Sequence, residues 1–395
     1  MALQRPGGKG LELEEVLKAY FWQAGYFVIR GVPYIIDGDD ITDIDLWLYE
    51  RPAAATRRRL IVDIKNRKSP KASERIIWTK GLQAALGMDG AIVATTDKRT
   101  SIRRLSKALN ITLLDGDAIS KLTKSESLNS SSQISAEEIN AAIKRVDESR
   151  RSFEWRQTIS DARASMITSM GVQSINKNLA ANAYFAAQAV YAQPRSEQAQ
   201  TALRLVYHTA SLAAISLDYA LADQAFRSPD ERRESIINSI RFGQSDATAT
   251  VQTVRTAIGL ARKYLDNGNA SAKQIEYGFY ADADRIPAEI IADYVSRVSA
   301  SDSLFNAARE MERASFESEL LSFDELSVEA RSLLGVLLDF NGVSREKVAL
   351  AWHREAKIRS SREVLSIEKT LDAGPLFKEK SIDLPPSEKK NEKEN

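Results

Sequence analysis

The 395-residue sequence contains no cysteine and only two histidines, and this scarcity excludes several kinds of chemistry. Without cysteine there is no disulfide, no thiolate zinc site and no cysteine nucleophile. The histidines, His208 and His353, are far apart in the sequence. A Ser/His/Asp triad would need one of them, and a histidine-based metal site would need both. Any chemistry is therefore expected to depend mainly on Asp, Glu and Lys side chains.

Long apolar segments are also missing. No run approaches the roughly 18 apolar residues of a membrane span, and the N-terminus does not resemble a signal peptide. Hydrophobic residues make up 43% of the chain and charged residues 28%, which is typical of a globular protein. These features predict a cytoplasmic protein with no membrane partner, and the length allows two or three domains.

The net charge of +1 conceals a difference between the two ends of the chain. Residues 1–125 contain 21 Lys and Arg against 15 Asp and Glu, whereas the rest of the chain contains 34 against 39. A basic surplus favours a polyanionic substrate, although a charge run can also be a solvated surface. The basic residues predicted to contact such a substrate are Arg57, Arg58, Arg59, Arg67, Lys68, Arg103 and Arg104.

Two stretches, residues 41–49 and 60–65, alternate between apolar and polar side chains, which predicts two strands. The polar connection between them contains Pro52 and favours a hairpin. The alternation places one set of apolar residues on a common face: Ile44, Leu46, Leu48, Leu60, Val62 and Ile64. Antiparallel pairing would bring Asp45 and Asp63 together on the other face, with Lys65 beside them. Two carboxylates near a lysine form a place for a hard divalent cation and an activated water.

The surrounding segments predict a mixed sheet flanked by helices. Helices are expected at 11–24, 74–86 and 101–109, and further strands at 26–29, 90–96 and 111–114. The order α-β-β-β-α-β-α-β therefore predicts an α/β domain.

Several short motifs in this domain match a known pattern. They are Ile44-Asp45-Leu46, Val62-Asp63-Ile64-Lys65, Glu14 ahead of Gly25-Tyr26, Gln83 in the following helix, Thr95-Thr96 and Leu114-Asp115-Gly116. Together they resemble the PD-(D/E)xK nuclease superfamily, and within it the restriction-endonuclease-like, Mrr-like branch. The resemblance covers about the first 120 residues. Asp63 departs from it, since many members have Glu there.

The resemblance implies a Mg²⁺-dependent DNA endonuclease acting in restriction or anti-phage defence, and DNA is preferred to RNA on that ground alone. Asp45 and Asp63 would hold Mg²⁺ with the Ile64 carbonyl, and Mn²⁺ could substitute. Lys65 would orient or deprotonate the attacking water, or stabilise the charged phosphorane. Positioning and electrostatic roles are favoured, because neighbouring carboxylates oppose the fall in its pKa that a base needs.

The resemblance adds Glu14 and Gln83 as catalytic candidates. The [DE]xK motif by itself is weak evidence, because Glu355-Ala356-Lys357 also matches it. Its position at the end of an apolar strand, 18 residues after Asp45, makes it much more specific. The alternative function is a catalytically inactive nuclease fold that binds nucleic acid or serves as a scaffold.

The second part of the chain has a different character. A serine-rich linker is expected at 123–135, an all-α region at 136–376 and a disordered tail at 377–395. Alanine-rich amphipathic runs within 136–376 indicate helices, and no recognisable chemistry occurs among them. This region is predicted to bind a protein partner, self-associate or regulate the first domain, and the sequence does not choose among these.

Overall fold

The computed structural model describes residues 9–65, 71–125, 133–244, 248–265, 267–298 and 301–352. The first region contains α1 (Lys9–Gln23), β1 (Phe27–Ile36), β2 (Asp39–Ala53), β3 (Thr56–Lys65), α2 (Ala72–Ala85), β4 (Gly90–Thr95), α3 (Thr100–Ala108), β5 (Thr112–Leu114) and α4 (Gly116–Leu122). This order confirms the predicted α/β layout and adds α4. Strands β2 and β3 also extend into most of the segment predicted as their connection.

The five strands form one mixed sheet in the order β1-β2-β3-β4-β5. Strands β1, β2 and β3 pair in antiparallel fashion, and β4 and β5 continue the sheet in parallel with β3. Within the hairpin, Leu46 lies opposite Val62 and Trp47 lies opposite Ile61. This register is the one that the alternating pattern requires, because a shift by one residue would reverse every side chain.

Each face of the sheet is covered by a different set of helices. Leu46, Leu48 and Val62 pack with residues of α1 and α4. On the opposite face, Trp47 and Tyr49 are fully buried in a second apolar cluster that also contains residues of the helical region. The face with the predicted acidic site is therefore covered over part of its length.

One predicted side-chain direction is wrong. Ile44 packs in the cluster of Trp47, and not with Leu46 and Leu48. The register places Gly31 of β1 opposite Asp45, and Gly31 has a φ of +63°. A left-handed residue increases the local twist of a strand, so the alternation is not continuous through this point.

The helical region contains α5 (Ala136–Arg150), α6 (Glu154–Thr168), α7 (Val172–Tyr191), α8 (Glu197–Ala222), α9 (Pro229–Phe242), α10 (Thr248–Tyr264), α11 (Gly268–Asp284), α12 (Ala288–Val298), α13 (Ser303–Phe316), α14 (Val328–Phe340) and α15 (Arg345–Trp352). In α8, 20 of the 26 residues are buried, so it is the central helix of the region. Its many Ala and Ser residues allow close packing of the neighbouring helices. Pro287 separates α11 from α12, because proline interrupts a helix.

The helical region and the sheet are in direct contact. Tyr49 of β2 donates a hydrogen bond to Asp218 of α8, and Arg30 of β1 binds Glu137 of α5. The α/β region and the all-α region that the sequence predicts therefore pack against each other. The predicted linker lies largely outside the described residues, and the tail at 377–395 lies wholly outside them. None of the helices in the described ranges combines the length and apolar character needed to cross a membrane.

Candidate active site

Asp45 and Asp63 lie where β2 and β3 reach the end of their pairing. The pairing of the two strands ends with Leu46 opposite Val62, and Asp45 and Asp63 are the next residue of each strand. The carboxylate of Asp45 accepts a 2.6 Å hydrogen bond from the backbone amide of Ile64. This bond fixes the Asp45 side chain against β3, so the two acids of the predicted site are brought together.

The charge of Asp45 is set by opposing effects. Partial burial raises the pKa of its carboxyl group, and the Ile64 amide, Lys65 and Arg75 act in the opposite direction. The interaction with Lys65 shows that this ammonium group lies within electrostatic reach of Asp45. Lys65 is the last residue of β3 and lies opposite Thr95 of β4. The structure thus brings Asp45, Asp63 and Lys65 to one end of the sheet.

Asp63 is only 8% exposed and is bound by an arginine that the sequence did not suggest. Arg75, in the first turn of α2, donates from Nε to Oδ2 of Asp63 at 2.9 Å, and its Nη2 contacts Oδ1. Burial lowers the pKa of the Arg75 guanidinium, and Asp45 partly restores it. Arg75 is therefore bound to Asp63 and lies within electrostatic reach of Asp45. Its only sequence signal was its position in the helix that follows the acidic strand.

Glu14 of α1 lies near the same acids but is held by Arg30. Nε of Arg30 donates to Glu14 at 2.8 Å, and other guanidinium nitrogens bind Glu15 and Glu137. Burial raises the pKa of Glu14, Arg30 lowers it, and Asp45 raises it further because the two negative groups repel. Arg30 was missed from the sequence, although a charged residue inside the apolar strand Phe27–Ile36 was a signal for a buried ion pair.

Gln83 is hydrogen-bonded within its own helix and to the turn that follows it. It is buried on α2, its side-chain amide donates to the carbonyl of Met88, and it accepts from Lys80. Both bonds stabilise the end of α2 and the turn that follows. These contacts give Gln83 a structural role, and its catalytic role stays a prediction.

The predicted polyanion-binding arginines divide into two groups. Arg57 is 2% exposed and forms an ion pair with Asp218, so it is not available to a substrate. Arg59 is also largely buried, and it donates to the carbonyl of Gly87. The predicted contacts of these two residues are corrected, because their guanidinium groups join the hairpin to the rest of the fold.

The exposed arginines remain candidates. Arg58 is 49% exposed and pairs with Glu50. Arg103 is exposed and pairs with Asp115 and Asp117, and Arg104 is exposed on the same helix. The last two predicted contacts, Arg67 and Lys68, lie outside the described residues.

Mg²⁺ in proteins is held by oxygen ligands, mainly carboxylates and water. Within the described part of the chain, no three acidic or histidine side chains form a group that could hold a metal ion. Two carboxylates remain, and Mg²⁺ is often bound through one or two carboxylates with water completing its shell. The guanidinium of Arg75 beside both acids shows that the position suits a cation. Asp45 and Asp63 would be the protein ligands of such a sparse Mg²⁺ site, and both this site and the role of the Ile64 carbonyl stay predictions.

Comparison with known proteins adds no further constraint: no family model, curated protein or solved structure matches the chain.

Proposed function

We propose that the chain is a Mg²⁺-dependent endonuclease that hydrolyses phosphodiester bonds in DNA. The observation that carries the proposal is the pairing of β2 with β3, which ends with Leu46 opposite Val62, so that Asp45 and Asp63 are the next residue of each strand and Lys65 follows two residues later. The hydrogen bond from the Ile64 amide holds Asp45 in this position. A fixed pair of acids with an adjacent lysine is the arrangement that metal-assisted hydrolysis needs.

Each residue has a distinct role in this proposal. Asp45 and Asp63 would hold the cation, which when bound supplies a water of lowered pKa and stabilises developing negative charge. Lys65, close enough to influence Asp45, would position the attacking water and stabilise charge on the phosphate. Glu14 would act through electrostatics on Asp45, because Arg30 occupies its carboxylate.

The substrate assignment depends on exposed groups and on the family resemblance. Arg58, Arg103 and Arg104 are exposed cations that can bind phosphates. The resemblance supplies DNA as the polymer and restriction or anti-phage defence as the setting. In this setting the helical region would bind a partner, self-associate or regulate cleavage.

A second candidate function has one observation in its favour. Arg75 neutralises Asp63 and interacts with Asp45, and a permanent ion pair of this kind would serve a nuclease fold that no longer cleaves. Such a protein would bind nucleic acid or act as a scaffold. The two functions differ in whether divalent metal is needed.

Cleavage of supercoiled plasmid DNA tests the proposal. The chain should nick or linearise the plasmid with Mg²⁺ and lose this activity in EDTA. Asp63→Asn should abolish cleavage, whereas Asp161→Asn should not, because Asp161 is an exposed residue of α6. Circular dichroism and the melting temperature establish that both variants are folded. Full activity of folded Asp63→Asn would reject the nuclease and leave the scaffold function.

A further inference from the structure

Arg75 and Asp63 form a two-point contact. Nε of Arg75 donates to one carboxylate oxygen of Asp63 at 2.9 Å, and Nη2 contacts the other. A planar guanidinium matches a carboxylate in this way, and such charge-assisted pairs are among the stronger hydrogen bonds. Both oxygens of a proposed metal ligand are therefore already engaged by a cation from the same chain.

A bound divalent cation would need the same oxygens. Mg²⁺ contacts its carboxylate ligands at about 2.0–2.1 Å, which leaves no room for a guanidinium on the same side of the group. Charge adds to the conflict: Lys65 and Arg75 already balance Asp45 and Asp63, so Mg²⁺ brings two positive charges in excess of those that this pair needs, with Glu14 as a further acid that interacts with Asp45. Moving Arg75 away removes one of these excess positive charges and frees both carboxylate oxygens of Asp63 for the metal.

We propose that Arg75 competes with the divalent cation for Asp63, and that metal binding releases the Arg75 guanidinium to bind a phosphate of the substrate. This inference rests on the proposed function. Arg75 would then be a built-in counter-ion that keeps the acidic pair neutral until metal arrives. It would also couple metal binding to substrate binding, because the released group is a bidentate phosphate ligand.

The surroundings of Arg75 provide a place for the released group. Its side chain is 29% exposed, so it reaches solvent without crossing the core. Lys71, at the start of α2, and Trp78 lie one turn before and one turn after it, and both are exposed. A stripe of two cations and an aromatic ring is a surface that suits a nucleic-acid strand, through phosphate contacts and base stacking.

Calorimetric titration of the full chain with Mg²⁺, without DNA, tests the competition. Wild type is compared with Arg75→Met and with Arg255→Met, a control that removes an exposed arginine of α10, outside the proposed site and substrate surface. Arg75→Met should bind Mg²⁺ about tenfold more tightly, the equivalent of about 1.4 kcal/mol, because the internal competitor is gone. Arg255→Met should bind Mg²⁺ as wild type does.

A second measurement tests whether the released Arg75 guanidinium binds DNA. With Ca²⁺ in place of Mg²⁺ to suppress cleavage, DNA affinity should fall in Arg75→Met although its metal affinity has risen. If Arg75→Met does not fold, Arg75→Lys carries the test, because lysine keeps the charge but cannot bind both carboxylate oxygens as a planar guanidinium does. Its metal affinity should rise by a smaller factor.

The outcomes separate the two proposals. Wild type that binds no divalent cation in the titration would reject the proposed function itself. Wild type that binds Mg²⁺, with a folded Arg75 variant that binds it equally or less tightly, would overturn the competition and leave the nuclease assignment standing.

Discussion

The phenol of Tyr49 in β2 donates a 2.6 Å hydrogen bond to the carboxylate of Asp218 in α8, 169 residues further along the chain. Burial, and then Asp218, raise the pKa of Tyr49, so the phenol stays protonated and donates. Arg57 pairs with the same carboxylate at 2.6 Å and supplies the counter charge. The sheet and the helical region therefore share an interface in which buried charge is compensated.

This interface predicts how the protein responds to cleavage of the predicted linker. A protease that cuts within 126–132 should leave two pieces that stay together, because Trp47 and Tyr49 are fully buried in the shared cluster. The nicked protein should elute from gel filtration as one species at the intact volume. A fragment of residues 1–122 made alone should not unfold cooperatively. Separation of the nicked pieces would show that the two regions are independent.

The exposed and buried arginines should behave differently when replaced. Arg58→Gln with Arg104→Gln should weaken DNA binding and reduce the slope of log K against log salt by about 0.9 for each phosphate that is no longer neutralised. The melting temperature should change little, because both side chains are exposed. An unchanged slope would assign both arginines to the solvated surface.

Arg57→Gln provides the contrast in the same assays. It should cost about 1.5–3 kcal/mol of unfolding free energy, because the buried Asp218 carboxylate loses the Arg57 ion pair but keeps Arg51 and the hydrogen bond from Tyr49. The salt dependence of DNA binding by the remaining folded protein should be unaltered. Urea denaturation measures the loss of unfolding free energy. A stable Arg57→Gln variant with weakened DNA binding would show instead that Arg57 contacts the substrate.

The residues Asp45, Asp63 and Lys65 are expected to act as one catalytic unit. Asp45→Asn and Lys65→Met should each stop cleavage, and the double variant should be little slower than either single one. Lys65→Met should still bind Mg²⁺, because both carboxylates remain. Single-turnover rates and metal titrations measure these effects. Rate losses that multiply in the double variant would indicate independent roles.

His208 should make stability depend on pH. It is fully buried in α8 and accepts a 3.0 Å hydrogen bond from Arg163. Burial, then Arg163 and Lys18, hold the pKa of His208 well below its usual value. The unfolded chain, with a histidine pKa of about 6.5, therefore binds more protons than the folded chain below that pH, and stability falls as the pH falls.

His208→Gln should remove this dependence, since a glutamine oxygen can accept from Arg163 but does not titrate. Between pH 7.5 and 5.5, wild type should lose about 1.4 kcal/mol more unfolding free energy than the variant. His353 is present in both proteins and cancels in the difference. Urea denaturation at the two pH values provides the measurement, and equal losses would mean that His208 accepts a proton in the folded state.

The sequence was sufficient for the local features of the acidic hairpin. The period of two along residues 41–49 and 60–65 predicted both strands, and it put Leu46 and Val62, which are paired in the structure, on the same face. Antiparallel pairing of these strands predicted that Asp45 and Asp63 come together before any tertiary contact was considered.

Only the tertiary structure decided which charged groups are free. Arg57 and Arg58 are neighbours with similar sequence surroundings, yet one is buried against Asp218 and the other is exposed. Arg75 could not be connected with Asp63 from the sequence, because the pairing depends on how α2 packs against the sheet. Ion pairs between residues far apart in the chain have no local pattern, so their partners appear only when the helices and strands are assembled.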